Sequence, residues 1–209
     1  MKKTQSNNVI SITQAKNFIP VNTREKIIDA YVELITKQGF AVTTHKQLAE
    51  KAKVCSSTIY YHFGSKTDLY EALIKRAHKK FLQLIDNEYL FSGDLEDRVS
   101  LLVSLSWHFF QSQLHMATLE IRMVTRNDQI NSSISAITEY YDKKRLQRLR
   151  QILIGVDVND RELWEALAYA HISLIGLSYE CIRKPRMANL GGFLRRISRN
   201  TVKMLKSPG

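Results

Sequence analysis

Cysteine is scarce and poorly placed for chemistry. Cys55 and Cys181 are the only two in 209 residues. That spacing offers no metal-ligand set and no disulfide framework, and it fits a reducing compartment, the cytoplasm. Long apolar runs are missing as well. No stretch approaches the roughly 20 residues that a membrane-spanning helix needs, so no membrane partner is expected. Lys2 and Lys3 are not followed by the apolar core of a secretion signal. There is no glycine-rich phosphate loop, no HExxH, no paired cysteine cluster and no GxSxG. The chain is therefore not expected to be an enzyme, and no catalytic residue, metal ligand or cofactor is assigned. Strand-like alternation, internal repeats and low-complexity blocks are also lacking.

What is present describes an ordinary globular protein of one or two domains. The hydrophobic fraction is 44% and the charged fraction 24%. The net charge is +11, a balance that favours polyanions. Residues 1–70 hold 10 Lys/Arg and 5 Asp/Glu, and the remainder holds 21 and 15. The first third is thus the more basic per residue, although the excess runs through the whole chain.

The apolar spacing is helical throughout. Ile27, Ile28, Tyr31, Leu34 and Ile35 predict a helix from Thr23 to Gln38, closed by Gly39 with Phe40 beyond it. A second helix opens at Thr44, where Gln47 three residues on completes a capping box, and buries Leu48, Ala49 and Ala52. Lys53 to Ser56 break the pattern, and Lys53 is placed where a left-handed backbone is wanted. A short helix from about Ser57 to Phe63 turns Ile59 and Phe63 inward. Ser65 and Asp68 signal another helix start, from which Leu69, Leu73, Ala77, Phe81 and Leu84 form one stripe running past Ile85. Further helices are predicted over 94–113, 114–125, 131–154, 159–183 and 190–205. Pro185 stops the fourth of these. Residues 1–21 show no periodicity and read as a flexible arm whose Lys2, Lys3 and Lys16 suit DNA phosphates.

Two helices joined by so short a turn form a helix-turn-helix, whose second helix can enter the DNA major groove. Over this stretch the chain resembles the tetracycline-repressor (TetR/AcrR) family of bacterial transcription regulators. The likeness is carried by Ala49, Val54, Thr58, Ile59, Tyr60, Tyr61, His62, Phe63, Ser65, Lys66, Asp68 and Leu69 in one unbroken run, within a resemblance spanning about 23–73. Lys53 and Cys55 depart from it, since many relatives have Gly and a small polar residue there.

The resemblance implies an all-α fold with three parts. These are the arm, a three-helix DNA-binding domain over 22–68, and a C-terminal helical domain over 69–209 for ligand binding and dimerisation. Thr44 and Lys66, at helix N-termini, suit phosphate oxygens on physical grounds, and the family pattern adds Tyr60. Ser56, Ser57, Thr58, Tyr61 and His62 would face the groove, with His45 and Lys46 reaching from the helix before. Structural support of the short helix is the other role open to Tyr60 and His62.

The resemblance further implies a repressor released from a palindromic double-stranded operator by a small-molecule effector. Regulation by a protein partner or by cysteine oxidation is the alternative. Polar and aromatic groups set within the apolar helices are the candidate ligand contacts: Trp107, His108, Gln111, Met123, Tyr140, His171 and Tyr179. The basic run Lys143, Lys144, Arg145, Arg148 and Arg150 suits either a solvated face or an anionic ligand. Palindrome reading requires two heads about 34–36 Å apart, hence a homodimer. The last two long helices would supply a four-helix interface, as in the family. Ala166, Ala170, Ser173, Gly176 and Leu177 give one of them a small-residue side, which would serve equally for packing within one subunit.

Overall fold

The computed structural model describes residues 22–125, 128–183 and 189–207, and is all-helical over them. The arm over 1–21 and Pro185 lie outside the described residues. The helices are α1 (Asn22–Gln38), α2 (His45–Ala52), α3 (Ser56–Phe63), α4 (Lys66–Ile85), α5 (Leu95–Phe110), α6 (Gln113–Val124), α7 (Asp128–Ile152), α8 (Asp160–Arg183) and α9 (Leu190–Lys206). A 3₁₀ turn, Glu88–Phe91, joins α4 to α5. It was not expected from the sequence, and neither was the end of α4 at Ile85. Asn87 accounts for both: its side chain accepts the Tyr89 N–H and starts a new turn.

The local signals act as their chemistry dictates. Thr44 accepts the Gln47 N–H and Gln47 reaches back to the Thr44 N–H, closing a capping box on α2. Ser65 and Asp68 do the same for α4. Gly39 ends α1 at φ 93°, and its N–H donates to the Ile35 carbonyl at 2.9 Å. A side chain would be strained at that φ, and its Cβ would lie 3.0 Å from a Glu120 carboxylate oxygen. Lys53 closes α2 in the left-handed region at φ 52°, ψ 49°, with its N–H on Glu50 O at 3.1 Å.

Two apolar cores form. The first gathers Ile27, Ile28, Tyr31 and Ile35 of α1, Leu48 and Ala52 of α2, Ile59 and Phe63 of α3, and Leu69, Leu73 and Ile74 of α4. It also takes in Ala117 and Ile121 of α6 and Ile134 of α7. Tyr70 packs face to face with Tyr31 at 6.0 Å and edge-on to Phe40 at 4.8 Å. The second core joins the end of α4 (Phe81, Ile85) to α5, α7, α8 and α9. The helix α4 thus contributes to both cores, and α9 packs against α5 and α8.

Lys53 holds a conformation that costs a non-glycine residue about 1–2 kcal/mol. Lys53→Gly is therefore expected to raise stability by up to about 1 kcal/mol, because added freedom in the unfolded chain offsets part of the relief. A urea midpoint that fell on this substitution would show that Lys53 is not strained.

Candidate nucleic-acid interface and internal cavity

The capped start of α2, the outer face of α3 and the start of α4 lie together on one side of the head. Thr44, Lys46, Ser56, Ser57, Tyr60, Tyr61 and Lys66 are all exposed there, while His45, Thr58 and His62 are half-buried. Tyr61 is 71% exposed and Tyr60 52%. Burial of Ile59 and Phe63 fixes this arrangement, since it leaves the rest of an eight-residue helix facing outward. The Tyr60 hydroxyl lies 3.0 Å from His45 Nδ1, tying α3 to α2. Partial burial, then the Lys66 charge, lowers the His45 pKa below its ordinary value. This favours the neutral ring, while Lys46 and Lys66 bring positive charge to this face. The Lys66 ammonium lies over the Phe40 and Tyr70 rings at 5.3 and 5.7 Å, which orients it at the α4 N-terminus.

Cys55 occupies the N-cap of α3 but makes no side-chain cap there. Its sulfur instead lies 3.0 Å from Ser57 Oγ and 2.9 Å from Thr58 Oγ1. These hydroxyls, Ser57 first, lower the thiol pKa to about 7. The signal lay in Cys-Ser-Ser-Thr at a helix start, where hydroxyls two and three residues on fold back toward the cap position. Cys55 alkylation by iodoacetamide is therefore expected to titrate with a midpoint near pH 7. In Ser57→Ala/Thr58→Val the midpoint moves up toward that of an ordinary thiol. An unchanged midpoint in that variant would remove the hydroxyls as the cause.

The second feature is a cavity of about 400 Å³ lined by α4 to α9, within the range of small-molecule sites. Its walls are mostly apolar, with Phe81, Val99, Leu102, Val103, Phe110 and Leu174 among them. Its polar groups include His78 from α4, His115 and Arg122 from α6, Thr138, Asp142 and Arg145 from α7, and His171 from α8, with the hydroxyls of Ser106, Thr118 and Thr201.

Of the seven candidate ligand contacts, only His171 lines the cavity. Met123, Tyr140 and Tyr179 are 82%, 54% and 65% exposed. Their helices turn other faces inward, so Tyr141 is buried where Tyr140 is not. His108 is also exposed, and half-buried Trp107 packs against the second core on its outer side. Gln111 donates to Ser178 Oγ at 2.7 Å and joins α5 to α8 instead. The basic run splits. Lys143 pairs with Glu139 on the surface, Arg148 with Asp86, and Arg150 with Asp160, while Arg145 turns inward beside Asp142. Sequence reasoning passed over His78 and His115, whose alignment with the cavity depends on how α4 and α6 cross.

The five candidate dimer residues divide as well. Ala166 and Ala170 are buried in the second core of their own subunit, and Leu177 is mostly buried there too but also lines the outer groove between α8 and α9. Ser173 and Gly176 face the other way, along this groove, which also holds Phe193.

Burial lowers the pKa of all three cavity histidines: His115 to about 3 and His78 and His171 to about 4. Positive neighbours add to this, Arg145 and Arg122 for His78 and His171, and His171 and Arg122 for His115. Below pH 6.5 the unfolded chain binds protons that the folded chain refuses. Stability is thus complete above 6.5 and falls as the pH drops toward 4, with His115 alone contributing up to about 1.4 kcal/mol per pH unit. Urea unfolding between pH 7 and 4.5 should show this decline, and His115→Gln should flatten it. An equal slope in wild type and variant would contradict the assignment.

A capped pair of short helices presenting hydroxyls, amines and rings, carried on a larger all-helical body, defines a helix-turn-helix protein. Residues 27–73 match the sequence profile of "Bacterial regulatory proteins, tetR family". The HTH-type transcriptional regulator YvkB of Bacillus subtilis is 43% identical over 54 residues, 26% of this chain and 29% of that protein. The fatty acid metabolism regulator protein of Bacillus subtilis is 23% identical over 117 residues, 56% of this chain and 60% of its own length. Both matches therefore span less than two thirds of the relative. The whole fold is similar to the crystal structure of the transcriptional regulator FadR from Bacillus subtilis in complex with stearoyl-CoA. The TM-score is 0.65 at 19% identity, covering 88% of this chain and 97% of that one. Over residues 27–73 the chain thus carries a helix-turn-helix segment similar to that of the tetR family of bacterial regulatory proteins.

Proposed function

We propose that the protein is a cytoplasmic, homodimeric repressor that leaves a palindromic operator when a small molecule enters the cavity. The observation that carries this reading is that α4 and α6 each have one side on the head and one on the cavity. The first half of α4 lies in the head core, while Ile74, Ala77, His78 and Phe81 line the cavity. On α6, His115, Thr118 and Arg122 line the cavity. From the same helix Ala117 and Ile121 enter the head core, and Glu120 accepts the Phe40 N–H at 2.6 Å. A ligand that shifts either helix must move the head with it.

The mechanism is a population shift. A ligand binding better to the head spacing that misfits DNA releases the operator, and DNA weakens the ligand by the same factor. Thr44, Tyr60 and Lys66 hold phosphates, and Ser56, Ser57, Thr58, Tyr61 and His62 read the groove, with His45 and Lys46 at its edge. The second subunit packs on the outer face of α8 and α9. Ser173, Gly176 and Leu177 line a groove there with Phe193 of α9, and Tyr179 on the same helix is 65% exposed. A protein partner or Cys55 oxidation as the sole regulator is less well supported, since a filled core would serve either and this core is hollow.

The test is a salt series of binding to the duplex upstream of the protein's own coding region, against a scrambled duplex. Wild type is expected to prefer the specific duplex by at least about a thousandfold. Lys66→Ala should weaken both duplexes and make the salt slope shallower by about one. Equal binding of both duplexes by all variants, there and at sites recovered genome-wide, would refute the reading.

A further inference from the structure

The polar side of the cavity is built for negative charge. Thr138, Asp142 and Arg145 stand at i, i+4 and i+7 on α7 and so share one face, which lines the cavity. Arg122 reaches this face from α6 and donates to Thr138 Oγ1 at 2.5 Å. Arg145 lies beside Asp142 and over the Phe81 ring at 5.7 Å. Its side chain is only 19% exposed, and its Nε has no hydrogen-bond partner among the described residues. His115 is 92% buried, and its Nε2 is likewise without a partner. The charged groups on the cavity wall are thus two guanidiniums and one carboxylate, with the histidines of α4, α6 and α8 neutral. The opposite walls, from α5 and α8, are mostly apolar, with Ser106 and His171 the exceptions.

We infer that the cavity takes a molecule with a single carboxylate head and an apolar tail, its head between Arg122 and Arg145 and its tail along α5 and α8. A monoanion completes the charge of this wall, whereas a cation would meet two arginines with only one, already paired, aspartate to receive it. Burial and the neighbouring Arg122 charge lower the Arg145 pKa to about 10, a penalty that a bound carboxylate relieves. A planar guanidinium also matches carboxylate geometry better than an ammonium would. His115 Nε2 and His171 are placed to add a hydrogen bond, as donor or acceptor according to tautomer.

This inference rests on the cavity being the effector site and specifies what that site selects. The experiment is calorimetric titration of the full-length protein with laurate, dodecanol and dodecyltrimethylammonium, paired with operator-release assays using the same three. Laurate is expected to bind at least about tenfold more tightly than dodecanol, and the ammonium to bind least. Arg122→Gln should weaken laurate by about tenfold and leave dodecanol unchanged. Asp142→Asn, which removes the competing carboxylate, should tighten laurate binding. A purely structural role for Asp142 predicts no such gain. Arg145→Gln is informative only if its melting temperature is retained, whereas the Arg122 and Asp142 variants carry the test without it. Dodecanol or the ammonium binding as tightly as laurate, or Arg122→Gln weakening laurate and dodecanol alike, overturns the inference. If either of those probes also releases the operator, the effector reading survives that result. If none of the three binds, the inference falls, and operator release by unrelated compounds decides the effector reading separately.

Discussion

The rigidity of α4 is the constraint on which the rest of the structure depends. Twenty residues of continuous helix enter two separate cores. An α-helix transmits displacement along its axis because every interior residue is hydrogen-bonded to the next turn. Leu69 and Leu73 are fully buried in the head, and Ile85 is fully buried at the other end. Neither end can move alone without opening a cavity in a close-packed core, which typically costs several kcal/mol. The double capping box at Ser65 and Asp68 fixes where this lever begins. Arg76 fastens it to α1 through Asp29 at 2.6 Å and Glu25 at 3.4 Å.

A second connection runs through α6. Glu120 accepts the first free N–H beyond the α1 terminus, on the residue after Gly39. Only a glycine fits the left-handed turn that brings that N–H round, and the carboxylate passes close to where a Cβ would be. On the next turns of the same helix, His115 and Arg122 face the cavity. Ser133 of α7 also donates to Glu71 of α4. The head is therefore held by polar contacts as well as by apolar packing.

The cavity concentrates cost that the fold must cover elsewhere. Three histidines are kept neutral by burial and by neighbouring arginines, and a guanidinium is held largely out of water. Aromatic packing offsets part of this. His78 stacks on Tyr141 at 5.0 Å, and Phe110 contacts His115 at 4.6 Å and His171 at 5.0 Å. Polar groups kept in an otherwise apolar interior are a common signature of a site maintained for a ligand.

How much could be read in advance divides along the range of the interactions. The caps at Thr44 and Ser65, the end at Gly39, the left-handed Lys53 and the inward pair Ile59 and Phe63 follow from residues within four positions of one another. The helices of the body were legible for the same reason, to within about three residues at their ends. What faces the cavity was not. His108 and His115 look alike as residues in an apolar helix, yet one is exposed and the other buried. Arg145 and Arg148 sit in one basic run, yet one turns toward the cavity and the other toward Asp86. The sequence by itself determined the helices, their caps and the shape of the helix-turn-helix, because backbone hydrogen bonds and caps are local. Only the tertiary structure decided which side of each body helix looks inward. That choice depends on crossing angles and burial between segments far apart in the chain, and it alone brings Arg122, Asp142, Arg145 and three histidines around one cavity.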